Sequence, residues 1–202
     1  MFSTSSNDEG GGGGGGGIAI RNASRPTIFL DLDNTLICSL RVRSAESDTA
    51  KTVNGLVPTI VFADYEVYKR PHLDEFLTYL FDNFRVAVWT AASRDYAAVI
   101  TSEFILRNHP DRELELFLSG EDTRIASEEL GGVKNLNALW DLWDVSSVMD
   151  RGDALIIDDL PDVFTTQPDK CIPIVAYYAQ DPRAVKDDAL QQVMDDLDSR
   201  YT

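Results

Sequence analysis

The stretch Pro26-Thr27-Ile28-Phe29-Leu30-Asp31-Leu32-Asp33-Asn34-Thr35 decides how the rest of this 202-residue chain is read. Its first half is a short β-branched and aromatic run, the signature of a buried strand, so the two acids stand where that strand leaves the core. Side chains two residues apart on an extended segment point the same way. Asp31 and Asp33 can therefore face one pocket while Leu32 turns back into apolar packing. Carboxylates partly shielded from water need a cation, a donor or a proton. A plain turn, built from turn-favouring Asp and Asn, is the competing reading of these residues alone.

Working outward, the same kind of run recurs. Arg85-Val86-Ala87-Val88-Trp89 predicts a second buried strand with Thr90 at its carboxyl end, and Ala154-Leu155-Ile156-Ile157 a third, ending in Asp158-Asp159. Leu114 to Leu118 and Ile172 to Val175 are further strand candidates. Between them lie helical patterns: from Pro71 through Leu73, Phe76, Leu77 and Leu80; from Tyr96 through Ile105; from Lys134 through Trp143; and near Arg183 to Leu197. Strands alternating with helices predict an α/β fold, a Rossmann-like and mainly parallel sheet flanked by helices, whose ligands bind beyond the carboxyl strand ends. Asp31, Thr90 and Asp158 all fall at such ends. Residues 41–55 and 119–132 are polar and read as loops. Val57 to Phe62 and Tyr65 to Tyr68 read as a small inserted β-hairpin, either a flap over the pocket or a packing element.

Composition narrows the function. Residues 1–17 end in an uninterrupted glycine run and predict a flexible tail, leaving one domain over 18–202. The glycine run is no phosphate loop, because Ile18-Ala19-Ile20 follows where a Lys and a Ser or Thr would be needed. A net charge of -16 opposes binding to a nucleic-acid backbone or an anionic membrane. No apolar run is long enough to span a membrane, and no basic-then-apolar leader opens the chain, so a soluble intracellular protein of nucleus or cytoplasm is expected. Cys38 and Cys171 suit a reducing compartment, and Cys38 reads as a buried thiol.

Asp31, Asp33, Asp158 and Asp159 would bring carboxyl groups together at one crevice. A like-charge pair at ~4 Å costs about 4 kcal/mol at an effective dielectric of ~20, so the cluster calls for a cation or for protonation. Oxygen donors with no His or Cys at zinc spacing point to Mg²⁺. Adding the Thr90 hydroxyl and the Lys134 ammonium gives what phosphoryl transfer requires. Asp31 would attack phosphorus, Asp33 would exchange the proton with the leaving oxygen and then with water, and the metal and Lys134 would neutralise the phosphate oxygens. Taken singly, Thr90 could be a cap, Lys134 a solvated charge, and Asp158 and Asp159 caps of the next segment.

With these positions in place the chain resembles the haloacid dehalogenase superfamily, and within it the small carboxy-terminal-domain, or NLI-interacting-factor-like, phosphatases. Phe29 to Leu36 is similar to their Asp-x-Asp-x-Thr motif. Tyr68-Lys69-Arg70-Pro71-His72-Leu73-Asp74-Glu75-Phe76-Leu77 is the more specific match. Trp89-Thr90-Ala91-Ala92 with Tyr96-Ala97, Val133-Lys134-Asn135-Leu136 and Ile156-Ile157-Asp158-Asp159-Leu160-Pro161 resemble the later motifs, and Gln167-Pro168 with Ile172-Pro173-Ile174 the family ending. The resemblance covers about residues 26–199. It implies an Asp31 nucleophile, an Asp33 acid/base, an aspartyl-phosphate intermediate, phosphoserine or phosphothreonine protein substrates and no large cap. It also implies Mg²⁺ on the Asp31 carboxylate, the Asp33 carbonyl and Asp159, with Asp158 in support, and Tyr96 near a bound peptide.

The sequence departs from that pattern in places. Asp158-Asp159 replaces the branch's usual Asp-Asn, Arg124 is only a shifted match to an expected Arg, and residues 111–132 do not follow the family. Two other functions compete: a binding module on the same scaffold, and a nucleic-acid-end phosphatase. Four converging acids with Thr90 and Lys134 argue against the first, and the charge of -16 against the second.

Overall fold

The structure is a computed structural model that describes residues 25–201; the tail expected over 1–17, and the first residues of the domain expected from 18, lie outside the described residues. The central sheet is five-stranded and parallel, in the order β6-β5-β1-β7-β8. Strand β1 (Thr27–Leu30) sits at its centre, flanked by β5 (Arg85–Trp89) and β7 (Ala154–Asp158), with β6 (Phe117–Leu118) and β8 (Cys171–Pro173) at the edges. All four residues of β1 are buried, as continuous apolar runs in a two-faced parallel sheet should be.

Alternation along β1 divides the core. Ile28 and Leu30 pack with α2 (Leu73–Asn83), α3 (Arg94–Ile100) and α7 (Ala189–Tyr201). Phe29, Trp89 and Ile156 face the other way, onto α4 (Gly120–Leu130), α5 (Ala138–Asp141) and α6 (Pro161–Thr166). By the same parity Asp31 follows Phe29 and Asp158 follows Ile156, so both acids emerge toward the α4–α5–α6 side. The register Leu30↔Ile157 puts them side by side at the carboxyl edge.

The polar segments hold more order than their composition predicts. The expected loop over 41–55 contains α1 (Ala45–Thr52), started by Ser44, whose side chain accepts from the Ser47 backbone N–H at 3.1 Å. The expected hairpin is the outer part of a three-stranded antiparallel sheet: β2 (Ile37–Arg41) joins β4 (Tyr65–Lys69) and β3 (Ile60–Phe62), in the order β2-β4-β3. Sequence reading missed β2 because its run continues directly from the acidic motif, with no turn signal longer than Asn34-Thr35.

The expected loop over 119–132 is likewise a helix, α4, whose Asp122 reaches back to accept from the Ser119 backbone N–H at 2.8 Å. Its first residue, Gly120, lies against the loop after β5: a Cβ there would stand 2.5 Å from the Ala91 carbonyl oxygen. The helix expected from Lys134 is confined to Ala138–Asp141, and Lys134 itself is left-handed, with φ 47°. The strand expected over 114–118 is ordered only at Phe117–Leu118. The last helix begins at Ala189 after a single 3₁₀ turn at Ala184–Lys186. After α3 the chain widens into a π-helical turn over Thr101–Leu106, where the sequence predicts continued α-helix.

Candidate active site

Lys134 is fully buried, which rules out the solvated surface charge that its sequence context permits. Its Nζ donates to Asp31 Oδ1 at 2.5 Å and to Asp158 Oδ2 at 2.6 Å. A left-handed non-glycine residue needs external support. Gln167 provides it, donating from Nε2 to the Lys134 carbonyl at 2.8 Å and accepting from the Leu136 N–H at 2.8 Å. Just upstream, the Thr166 hydroxyl accepts from the Val133 N–H at 3.0 Å. Both braces sit at the end of α6, the helix that follows Asp158-Asp159, so one short piece of chain carries two acids and the supports of their counter-ion.

Asp158 meets both readings made of it. Its Oδ1 accepts from the Leu160 N–H at 2.9 Å, which caps the turn into α6, and its other oxygen takes Lys134. Asp159 is partly exposed and accepts from the Thr35 hydroxyl at 3.2 Å. Asp31, Asp158 and Asp159 each present one carboxylate oxygen, all within 4.8 Å of one another. An oxygen-only set of this kind suits a hard divalent cation.

Electrostatics carry the same requirement. Burial, then the charge of Asp31, pushes the Asp158 carboxyl up to about 6, against the opposing pull of Lys134. Burial and Asp31 also raise Asp159. Burial works against the Lys134 charge, yet the Asp31 and Asp158 carboxylates outweigh it and hold the ammonium above its ordinary value. One ammonium for three acids leaves a charge deficit that a divalent ion would remove.

The Asp33 side chain turns elsewhere. Tyr96, on α3, donates to its Oδ1 at 2.6 Å, and the Tyr96 oxygen lies 2.5 Å from the Ser39 hydroxyl on β2. Burial raises the Asp33 carboxyl while the Tyr96 hydrogen bond opposes the rise. Thr90, buried at the end of β5, accepts from the Ala92 N–H at 3.1 Å; its main chain is tied by the Thr123 hydroxyl, which donates to the Thr90 carbonyl at 3.0 Å. Arg124 faces away on α4, exposed and paired with Glu128. An open depression of about 380 Å³ lined by Asp33, Ser39, Tyr65, Ala92, Ser93 and Tyr96 leads from the three-stranded sheet to Asp33.

Arg70 is the residue whose role the sequence does not reveal. It is fully buried and donates to the Thr35 carbonyl at 2.9 Å, the Val175 carbonyl at 2.7 Å and both Asp187 oxygens at 2.7 and 2.9 Å. It thereby fixes the turn after Asp33 to the segment beyond β8. A lone Arg before a helix-opening Pro has no sequence mark that separates it from a surface charge; only its place in the quoted family string singles it out.

A parallel sheet whose central strand ends in an acid pair, with a second acid pair one strand over, is the arrangement of a haloacid dehalogenase-like fold. A structure from Thermotoga maritima described as a beta-phosphoglucomutase shares it, with a TM-score of 0.51 over 86% of this chain and 99% of that one, at 10% identity. The chain belongs to the NLI interacting factor-like phosphatase family, whose sequence profile matches residues 26–201. A CTD phosphatase-like protein of Invertebrate iridescent virus 3 is 33% identical over 192 residues, covering 89% of this chain and 99% of its own. CTD nuclear envelope phosphatase 1B of Danio rerio is 28% identical over 194 residues, covering 89% and 69%. An RNA polymerase II CTD phosphatase of fission yeast bound to beryllium fluoride shares the fold, with a TM-score of 0.52 and 19% identity over 78% of this chain, which spans 43% of that one. Among the described residues no helix is long and apolar enough to cross a membrane.

Proposed function

We propose that this protein is a Mg²⁺-dependent phosphoprotein phosphatase that removes phosphate from serine or threonine through an aspartyl-phosphate on Asp31. The observation that carries the reading is the buried Lys134 ammonium, which grips the Asp31 carboxylate at the end of the central strand with Asp158 and Asp159 alongside. Two of its three N–H donors are engaged, so one remains for a phosphate oxygen.

In the first step an Asp31 oxygen bonds to phosphorus as the bond from phosphorus to the serine or threonine oxygen breaks. Asp33 gives its proton to that leaving oxygen. In the second step Asp33 takes a proton from the attacking water, and the bond from Asp31 to phosphorus breaks to release inorganic phosphate. Lys134 and the Thr90 hydroxyl hold the non-bridging oxygens. Mg²⁺, held by Asp31, Asp159 and the Asp33 carbonyl with Asp158 in support, would neutralise charge on the transferring group.

Relatives named for CTD and nuclear envelope phosphatases support a protein substrate. The charge of -16 favours phosphosites with neutral or basic neighbours over densely phosphorylated ones. The test is a phosphoserine and phosphothreonine peptide panel run with Mg²⁺ and with chelator, alongside Asp31→Asn. Wild type should release phosphate only with the metal and should trap a hydroxylamine-sensitive phosphoenzyme in single turnover. Equal turnover by Asp31→Asn would remove the assignment.

A further inference from the structure

Asp33 is held from outside the strand ends that present Asp31 and Asp158, by a chain of hydroxyls that begins on the three-stranded sheet. Tyr96 donates its one O–H proton to Asp33 Oδ1 at 2.6 Å. That leaves the Ser39 hydroxyl, 2.5 Å from the Tyr96 oxygen, to act as donor to it. The chain therefore has a direction: Ser39 O–H to Tyr96 O–H to Asp33 Oδ1. The Phe62 ring lies 6.4 Å from the Tyr96 ring, so β2 and β3 of that sheet hold the tyrosine from two sides. Tyr96 stands on the first turn of α3, half-buried at the wall of the depression that leads to Asp33.

Resting on the proposed phosphatase reading, we infer that Tyr96 and Ser39 are positioning residues for the Asp33 carboxyl group. A donor fixed on Oδ1 sets the plane of the carboxyl group and leaves Oδ2 to carry the proton that passes to the leaving oxygen and returns from water. Ser39 also acts on the Asp33 carboxyl, and its hydrogen bonding, like that of Tyr96, opposes the rise that burial causes. The three-stranded sheet thus acts on the chemistry through Tyr96: Ser39 on β2 orients the tyrosine hydroxyl, and Phe62 on β3 sets its ring. A proton donor misplaced by about 1 Å lowers rates on the order of 100-fold when the leaving group needs it.

The test exploits that dependence. Phosphoenzyme formation is measured in single turnover with a phosphoserine peptide, whose alkoxide leaving group needs a proton, and with 4-nitrophenyl phosphate, whose leaving group needs little. Tyr96→Phe and Ser39→Ala are compared with Asp33→Asn and with Ser39→Thr, which keeps the hydroxyl. Tyr96→Phe is expected to lose at least about tenfold more rate with the peptide than with the aryl ester, Ser39→Ala a smaller excess of the same sign, and Ser39→Thr to recover most of it. Equal losses on both substrates, or a raised KM with an unchanged peptide single-turnover rate, would overturn the inference and leave Tyr96 a packing or peptide-contact residue. If Asp33→Asn shows no selective loss with the peptide, the acid role of Asp33 fails instead. Thermal melts of each variant separate these outcomes from unfolding.

Discussion

Lys134 donates to Asp31 at 2.5 Å across 103 residues of sequence, and it does so from a fully buried position. This contact joins the end of β1 to the loop before α5. It also sets the order in which the site can fail, because the ammonium offsets like charges that would otherwise face one another without water.

Replacing Lys134 with Met keeps the length of the side chain and removes the charge. Deleting one partner of a buried ion pair costs about 3–5 kcal/mol, and here it strands two carboxylates. The melting temperature in chelator should fall by roughly 6–20 °C, taking about 2–4 °C per kcal/mol for a domain of this size, and phosphate release should fall at least ~100-fold. Added Mg²⁺ should raise the melting temperature of the variant more than that of wild type, since the ion supplies part of the missing positive charge. Equal shifts in a thermal melt would contradict the assignment of the acids as one cluster.

Gly132 has φ 74°, and a Cβ there would meet the Thr166 methyl at 2.5 Å and its hydroxyl at 2.6 Å. Gly132→Ala should cost about 1–3 kcal/mol in urea unfolding, and should lower activity because Thr166 anchors the Val133 N–H beside Lys134. Adding Thr166→Ala should recover only part of the stability, as the clash goes but the left-handed backbone remains.

Arg70→Lys tests the fork. A lysine ammonium cannot span both Asp187 oxygens and two carbonyls at the angles a planar guanidinium provides. A loss of about 2–4 kcal/mol is expected in denaturant titrations. Activity should fall with it, because the Thr35 carbonyl loses its anchor next to the turn that carries Asp33. Full retention of both would show that the loop holds itself.

The Asp158 carboxyl, pushed up to about 6 by burial and by Asp31, gives a sign to the pH dependence. An acid whose folded pKa lies above its unfolded value near ~4 binds more protons when folded. In chelator its contribution to stability is therefore lost as pH rises from about 4 to about 6, by at most on the order of 3 kcal/mol. The stability difference between wild type and Asp158→Asn should shrink or invert across that window. With Mg²⁺ saturating, the trend should reverse, because the ion binds the deprotonated acids. Urea titrations at several pH values, with and without the metal, measure both slopes.

The sequence by itself determined the strands that matter most. Residues 27–30, 85–89 and 154–158 are apolar enough to be buried on both faces, and alternation with helices makes the sheet parallel, so the acids had to gather at its carboxyl edge. Residues 41–55 and 119–132 were illegible because α1 and α4 bury only narrow faces, chiefly Ser47 and Ala50 in one and Thr123 and Ala126 in the other, and so lack an apolar stripe. Only the tertiary structure decided the state of single polar residues. Lys134 is an ion-pair partner rather than a surface charge because α6 braces its left-handed backbone, and Arg70 is a core residue because three distant segments supply its acceptors. Local pattern reports which faces are apolar; it carries no record of which distant acceptor will meet a given donor, and that meeting is what sets a buried charge.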